Sequence, residues 1–475
     1  MPDTLPAHTA AFRRRRAVNW LLAGFLYALF YMARYNFAAA AARLAEVFGW
    51  SNLQLGVVSS VATLVYGLSV FLNGPFADRI GGRRAILIGA AGAAFFNLAF
   101  GFLHLFLETA AAWRGEGADR HLVAAAQLRM GMTASTLLAL FAVVWAANHY
   151  FQSFGAVSIV KINAAWFHVR ERGVFAGIFG ILIRFGLILA FFGSPLVLRF
   201  LPWQWVFWVP AALLVVLLGA NFLLVRDTPA QAGLPELDTG DESEEERAAP
   251  SSLSFVLRKV FASRVMWTIA AASMMIGFVR RSVIDDWWPK YFADVHGANA
   301  RHLADFTPYE IAAWGIAISG IAGGLAFGWA SDRVFGGRRA PVVTAGFAGM
   351  AVVLGGFAAA DRAGTGPLSA ALWLVTLSFF VNGAHGMVGG AASMDFGGRR
   401  AAATAAGLLD GMQYIAGSVV GVAMGKLLDL FGWGIWQLAP IPFALAGAVL
   451  MARLWNVLPA GAPRAVAAAE APPAA

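Results

Sequence analysis

Residues 74–84 read Gly-Pro-Phe-Ala-Asp-Arg-Ile-Gly-Gly-Arg-Arg, and residues 328–339 read Gly-Trp-Ala-Ser-Asp-Arg-Val-Phe-Gly-Gly-Arg-Arg. Both stretches place the pattern Gly-x-x-x-Asp-Arg between two long apolar runs, and they lie about 250 residues apart. Recurrence of a charged phrase at the same place in a hydrophobic pattern predicts two homologous halves. Each half is then expected to hold several hydrophobic segments.

The composition places both halves in a membrane. Hydrophobic residues make up 59% of the chain and charged residues 13%, against roughly 25% charged residues in an ordinary soluble domain. The chain has no cysteine, which excludes a disulfide framework, a thiolate metal site and a cysteine nucleophile. Its net charge of +9 does not indicate nucleic-acid binding, because the arginines form short clusters between apolar runs, as in membrane proteins.

Twelve apolar segments are near the roughly 20 residues that a helix needs to cross the hydrocarbon. Their expected limits are 18–40, 53–76, 85–106, 134–165, 173–197, 203–225, 265–288, 309–331, 341–360, 369–392, 401–426 and 435–455. The fourth is diluted by polar residues, among them Asn148 and Lys161. The predicted fold is an all-α membrane protein with twelve transmembrane helices in two pseudo-symmetric six-helix bundles.

The arginine clusters follow the even-numbered spans. Because cytoplasmic loops carry an excess of Lys and Arg, we expect both termini to be cytoplasmic in a multi-pass protein of the plasma (inner) membrane. The predicted divisions are a cytoplasmic tail (1–17), an N-terminal bundle (18–225), a cytoplasmic linker (226–262), a C-terminal bundle (263–457) and a disordered tail (458–475). The linker is acidic and proline-containing, which favours a solvated segment.

Ionisable residues inside a span are costly and usually face a cavity or a partner. Arg34 lies in span one, and Arg280 and Arg281 lie in span seven, which is the equivalent span of the second half. Arg34 and Arg281 are both about 16 residues from the cytoplasmic ends of their spans, so we expect them at similar depth. Two guanidinium groups facing one cavity favour a bound anion, and arginine suits phosphate or carboxylate. The alternative is that the arginines pair within span seven, Arg281 with Asp285 and Arg280 with Asp286.

Other polar residues in the spans have two interpretations each. Arg184 of span five either pairs with Asp410 of span eleven or contacts the ligand. Tyr27 and Tyr31 are four residues apart on span one, and they either offer hydroxyl groups to a ligand or pack against other helices.

A polar patch on span four contains His149 and Gln152. These side chains contact a ligand or make hydrogen bonds between helices. His385 of span ten is either a hydrogen-bonded interhelical histidine, which is the commoner case, or a proton carrier.

The repeated phrase suggests a gate. Its glycines allow helices to approach closely, and Asp78, Arg79, Arg83, Asp332 and Arg333 lie at the predicted inner surface. Ion pairs between the two halves there would hold the outward-facing state closed on the inside. The alternative is that the arginines only anchor the loops by the positive-inside rule.

The repeated phrase resembles the signature of the major facilitator superfamily. Three further stretches resemble the organophosphate:phosphate antiporters of that superfamily: residues 31–37 (Tyr-Met-Ala-Arg-Tyr-Asn-Phe), the linker start at 226–235, and residues 281–289 with their Arg and Asp-Trp-x-Pro elements. This resemblance covers nearly all of the chain outside the tails and the segment 108–129.

The resemblance implies exchange of an organic phosphate ester for inorganic phosphate by alternating access, with no metal or cofactor. The resemblance implies that Arg34 and Arg281 bind phosphate, with Arg280 as the alternative to Arg281. It also implies site tyrosines at Tyr27 and Tyr31 and the span-seven aspartate at Asp286. We expect the lipid bilayer, the small anion and inorganic phosphate to be the partners, no nucleic acid, and function as a monomer.

Three positions depart from the glycerol-3-phosphate type of that family. Tyr35 and Val70 stand where that type has lysines, and Ile183 stands where it has a histidine, with Arg184 next to it. The surroundings of the phosphate anchors therefore differ. Arg184 suggests a further anionic group on the substrate, such as the carboxylate of a phosphoglycerate.

Two rival functions stay open on the sequence. One is a proton-coupled transporter of another organic anion, in which Asp286, Asp410 or His385 carries the proton. The other is a membrane-bound sensor of a phosphate ester, because a receptor of the same family shares the fold. An enzyme is not expected, since the sequence holds no nucleotide-binding loop, metal cluster or nucleophile–base pair.

Overall fold

The structure is a computed structural model that describes residues 8–108, 134–167, 172–237 and 261–457. Regular structure in these ranges is entirely helical. The predicted C-terminal tail, the centre of the predicted linker and nearly all of the segment 108–129 lie outside the described residues.

Ten helical stretches of the described residues are long and apolar enough to cross a membrane. The first six spans are Ala10–Phe48, Asn52–Ile80, Gly82–Glu108, Ala134–Gln152 continued by Phe154–Ala164, Arg172–Ile188 continued to Phe200, and Trp205–Leu224. The last six are Arg264–Val279 continued to His296, Thr307–Arg333, Arg339–Arg362, Pro367–His385, Ser393–Phe431 and Ile441–Ala452. Span seven, with charged residues at its centre, and the short span twelve bring the ten to the predicted twelve, so the predicted fold is confirmed.

Local sequence signals place several helix ends. Thr9 and Ser263 accept hydrogen bonds from the backbone N–H groups of Phe12 and Met266, three residues on. Ser51 and Gln54 form a reciprocal capping box at the start of span two. Such side chains satisfy backbone donors that have no partner within the helix. They hold spans one, two and seven, which carry the candidate site, in a defined register.

The two halves meet through two helix pairs, which the internal repeat makes equivalent to each other. Span two of the first half packs along span eleven of the second, and span five packs along span eight. A methyl group added to Gly56 would lie 2.1 Å from the carbonyl oxygen of Gly421, and one added to Gly421 would lie 2.4 Å from Ser60 Oγ. Glycine therefore lets the backbones of spans two and eleven approach closely, and the hydroxyl group of Ser60 accepts the N–H of Val422 at 2.9 Å.

At one end of the bundle, which the arginine distribution predicts to be outside, the two halves are in contact. We call this end the predicted outer end. The carboxylate of Asp429 on span eleven accepts the N–H groups of Asn52 and Leu53, at 3.0 and 2.8 Å. An acid at a helix N-terminus also interacts favourably with the helix dipole. Arg199 and Asp305 form an ion pair of 2.5 Å between the halves at the same end.

The close contact of spans two and eleven predicts the effect of a single methyl group. We expect Gly56→Ala to lower the melting temperature of the purified protein by several degrees, because overpacking costs about 1–3 kcal/mol. Gly219→Ala is the matched control, since a methyl group there meets nothing within 4 Å. Both variants gain the same helix propensity, so equal melting temperatures would contradict the close approach.

Candidate anion-binding site

Span seven changes from an α-helix to a π-helical turn at Arg280–Asp285. A π-helix brings residues five apart into register. Arg280 Nε accordingly lies 3.1 Å from Asp285 Oδ2, and Arg281 Nη2 lies 2.8 Å from Asp286 Oδ2. The pairing of Arg280 with Asp286, which the sequence left open, does not occur, and Arg281 Nη1 reaches Asp285 only at 3.8 Å.

Arg281 extends from the second half onto the first. Its side chain is buried, and its Nη2 donates to Thr63 Oγ1 at 2.7 Å and to Ser59 Oγ at 3.0 Å on span two. On the other side it passes over span eleven, where a methyl group on Gly417 would lie 2.6 Å from Arg281 Cγ. Ser59 also donates to Asp286 Oδ2 at 2.9 Å, so one serine connects the acid and the arginine.

Arg34 extends in the opposite direction. It is 4% exposed; its Nε donates to Gln152 Oε1 at 2.9 Å, and its Nη1 is 3.4 Å from the hydroxyl of Tyr414 on span eleven. The guanidinium carbon lies 4.2 Å from the ring centroid of Tyr66 on span two. Among the described residues no carboxylate lies within ion-pair distance of Arg34. Arg34 and Arg281 are called the arginine pair below.

The arginine pair occupies one place between spans two and eleven. On span two its members contact Tyr66 and Thr63, and on span eleven they contact Tyr414 and Gly417. Residues three apart on a helix are neighbours on one face, with Cβ atoms about 5–6 Å apart. The two guanidinium groups, one from each half, therefore contact residues on neighbouring turns of the same two helices.

Each member of the arginine pair has one buried guanidinium nitrogen with no hydrogen-bond acceptor among the described residues. These groups are Arg34 Nη2 and Arg281 Nε. A buried donor without an acceptor costs about 1–3 kcal/mol, and more when the group is charged. An oxyanion between the two guanidinium groups would supply the acceptors that are missing.

Span four holds Arg34 in place. Gln152, which accepts from Arg34, donates to Ala33 O at 2.9 Å and to Asn148 Oδ1 at 3.2 Å. His149 bonds through Nδ1 to Trp145 O at 3.0 Å. The described hydrogen bonds of Gln152 and His149 are thus made to the protein, and Gln152 acts on the site through Arg34.

The predicted tyrosines lie beside Arg34. The ring centroid of Tyr31 is 5.0 Å from the guanidinium carbon of Arg34, and Tyr27 meets Tyr31 edge-on at 5.4 Å between ring centroids. Tyr27 packs on Gly155, where a methyl group would lie 2.6 Å from its ring. Tyr35 stacks on Tyr31 at 5.9 Å and continues this aromatic face of span one.

Arg280 belongs to a second polar cluster. Its Nη1 donates to Gln413 Oε1 at 2.8 Å and its Nη2 to the hydroxyl of Tyr35 at 3.2 Å. Gln413 in turn lies 3.0 Å from His385 Nδ1. Arg280 therefore faces the interior as Arg281 does, but towards spans one, ten and eleven.

Arg184 does not pair with Asp410, which was one of its two predicted alternatives. Its Nη2 donates to Asn382 Oδ1 on span ten at 2.7 Å. Asn382 is itself held by Ser378, through its carbonyl at 3.1 Å and its hydroxyl at 2.8 Å. Asp410 is half-buried and accepts no hydrogen bond from a described side chain.

A shallow recess reaches Asp286 between the halves. It is lined by Phe37, Ala38, Ala41, Leu55, Ser59, Asp286 and Trp287. These residues belong to spans one, two and seven, so the recess ends at the serine and the acid that hold Arg281.

Sequence reasoning missed the residues of span two that the arginine pair contacts. Ser59, Thr63 and Tyr66 are spaced at i, i+4 and i+7, which places them on one face of a helix. A polar stripe on an otherwise apolar span was the available signal. Tyr414 and Gln413 of span eleven carry no comparable pattern.

The chain matches the Major Facilitator Superfamily family over residues 23–421. It belongs to that superfamily. The family is one of membrane transporters, and the expectation that the chain is not an enzyme is confirmed.

Curated relatives cover almost the whole chain. A glycerol-3-phosphate transporter of Bacillus subtilis (strain 168) is 29% identical over 94% of this chain and 94% of its own length. A probable hexose phosphate transport protein of Chlamydia pneumoniae is 24% identical over 90% of this chain and 89% of its own. The membrane sensor protein UhpC of Salmonella typhimurium is 26% identical over 90% and 88%.

Solved structures agree on the fold. The xylose transporter XylE from E. coli, in a partially occluded inward open conformation, matches with a TM-score of 0.66 and 14% identity over 94% of this chain and all of that one. A bacterial homolog of the lysosomal transporter Spinster, inward-facing, gives the same TM-score over 94% of this chain. At this identity the likeness concerns the fold of the superfamily alone.

The predicted gate of this superfamily member is described only in part. Arg79 and Arg333 are exposed. The backbone N–H of Arg83 donates to Asp227 Oδ1 at 2.6 Å, within the first half. The side chains of Asp78 and Asp332 lie outside the described residues, so pairing across the halves by this phrase stays a prediction.

The buried pair of Arg281 with Asp286 predicts a stability pattern. We expect Asp286→Asn to destabilise the protein by about 3–5 kcal/mol, because it leaves a buried guanidinium without its acid. The double variant Arg281→Gln/Asp286→Asn should regain most of that loss. Thermal unfolding of the purified variants measures both effects.

The matched control is Glu46→Gln, which breaks the surface pair of Arg43 and Glu46 at 3.0 Å. An exposed pair contributes about 0–1 kcal/mol. A cost for Asp286→Asn as small as that of the control would rule out the buried ion pair.

Proposed function

We propose that this protein exchanges an organic phosphate ester for inorganic phosphate by alternating access, in the inner membrane and with both termini in the cytoplasm. The observation that carries the proposal is the arginine pair. One guanidinium comes from each half, both are buried, and each has a nitrogen with no acceptor among the described residues.

The charges around the pair favour a phosphate. Arg281 is partly neutralised by Asp286 at 2.8 Å, while Arg34 has only the amide of Gln152 and the rings and hydroxyl groups of tyrosines around it. Arginine binds phosphate oxygens in a bidentate fork with charge-assisted hydrogen bonds. A phosphate group has enough oxygen atoms to accept from both guanidinium groups at once.

The same arrangement explains why transport would be an exchange. Two guanidinium groups that contact neighbouring turns of the same helices repel each other when no anion lies between them. Since each belongs to a different half, a bound anion lowers the free energy of the state in which the halves approach at the site. Reorientation without an anion is then slow, and each inward step needs an outward one.

The relatives support the substrate class. The glycerol-3-phosphate transporter and the probable hexose phosphate transport protein are named for phosphate esters, and each covers about nine-tenths of this chain or more. Residues that differ around the arginine pair leave the particular ester open.

The proposal predicts the outcome of counterflow in proteoliposomes. Liposomes loaded with unlabelled phosphate should take up labelled phosphate, and Arg34→Lys and Arg281→Lys should each lower the initial rate by about ten- to a hundredfold. Loss of a charged hydrogen bond costs about 1.5–3 kcal/mol, which corresponds to that range. Arg453→Lys, at an exposed position, is the control.

Phosphate counterflow at wild-type rate in both Arg34→Lys and Arg281→Lys would end the two-arginine site. Uptake that needs a proton gradient and is indifferent to internal phosphate would favour the proton-coupled alternative.

A sensor is the second candidate, because one relative at 26% identity is named a membrane sensor protein. A sensor would bind a phosphate ester, and the ester would raise its melting temperature, but proteoliposomes would show no counterflow. The transporter proposal requires both the rise in melting temperature and the counterflow.

A further inference from the structure

We propose that the ester carries a second anionic group, and that Arg184 binds it while the arginine pair holds the phosphate. This inference rests on the proposed function and names the substrate class more closely. It assigns to Arg184 the selection between esters with one anionic group and esters with two.

Arg184 is a charged residue inside a membrane span, and no acid among the described residues pairs with it. It lies in the apolar stretch Gly180–Phe200 of span five, and no carboxylate of the described residues is within ion-pair distance of it. Its described hydrogen bond goes to a neutral amide, Asn382 Oδ1 at 2.7 Å. A cation at this depth costs several kcal/mol unless it meets a partner or water, so an anion that reaches it would be bound favourably.

The surroundings of Arg184 are shaped to accommodate its guanidinium. A methyl group on Gly320 of span eight would lie 3.2 Å from Arg184 Cζ, so glycine leaves the space that the guanidinium needs. Ser378 fixes Asn382 through two hydrogen bonds, and Asn382 then fixes Arg184. The side chain is only half-buried, so part of it is open to a ligand.

Span five, which carries Arg184, packs against the same tyrosine that borders Arg34. The ring centroid of Tyr31 is 5.0 Å from the guanidinium carbon of Arg34, and a methyl group on Gly186, two residues from Arg184, would lie 2.8 Å from Tyr31 Cβ. A short ester with its phosphate on the arginine pair could place its other end at Arg184.

The field at this second position is positive. Arg184 donates to Asn382, which lies three residues before His385 on span ten. His385 Nδ1 is 3.0 Å from Gln413, and Gln413 accepts from Arg280 at 2.8 Å. Arg280 is already neutralised by Asp285 at 3.1 Å, whereas no described carboxylate neutralises Arg184. A carboxylate or second phosphate on the ligand would compensate the charge of Arg184.

Two three-carbon phosphate esters test the inference, because 3-phosphoglycerate has a carboxylate where glycerol-3-phosphate has a neutral hydroxymethyl group. We expect 3-phosphoglycerate to inhibit labelled-phosphate counterflow at about a tenfold lower concentration, as one charged hydrogen bond implies. The readout is the inhibitory concentration of glycerol-3-phosphate divided by that of 3-phosphoglycerate. This ratio does not depend on the rate of exchange in each variant.

Two variants should bring that ratio to about one: Arg184→Gln removes the charge, and Asn382→Asp keeps the arginine but supplies an acid of nearly the same shape. Arg184→Lys should keep part of the preference, and Arg453→Gln all of it. If a variant does not exchange phosphate, the rise of its melting temperature with each ester gives the same comparison.

A ratio of one or less in the wild-type protein would overturn the inference, and so would a wild-type ratio in Arg184→Gln. Absence of phosphate counterflow in the wild type would count against the exchange function, and the melting-temperature comparison of the two esters would still decide the role of Arg184.

Discussion

The protein depends on keeping guanidinium groups charged at the depth of the hydrocarbon. Such a group is tolerated only with partners that replace water. Arg281 finds them in Asp286, Ser59 and Thr63, and Arg34 finds them in Gln152 and the tyrosines around it. Because Ser59 and Thr63 lie in the other half from Arg281, part of the cost of burying this arginine is offset by contact between the halves.

That constraint joins the site to the conformational change. The helices that carry the partners of the arginine pair, spans two and eleven, are also the helices whose glycines allow the halves to approach. Span two begins at the predicted outer end, where Asp429 of span eleven caps its first N–H groups. Spans two and eleven therefore carry both contacts of the arginine pair and contacts between the halves at one end of the bundle. A ligand between the arginines would thus act directly on the interface that must open.

The ion pairs within span seven depend on a local change of helix type. With α-helical spacing, Arg281 faces Asp285, and this was one of the alternatives that the sequence offered. The π-helical turn at Arg280–Asp285 moves the register by one residue and gives each arginine its own acid. Sequence reasoning with α-helical spacing did not predict this extra residue in the turn, since π-helical turns are rare.

The sequence by itself determined the all-helical membrane fold and its membership of the superfamily, because apolar length, charge depletion and a repeated phrase are properties of the chain. It also singled out Arg34 and Arg281, since an ionisable residue within an apolar span is conspicuous wherever that span lies. Only the tertiary structure decided their partners: Thr63, Tyr66 and Tyr414 come from other helices, and Arg184 meets Asn382 of span ten instead of Asp410. The physical reason is that depth follows from position along one helix, whereas contact depends on how each helix is rotated and packed against the others.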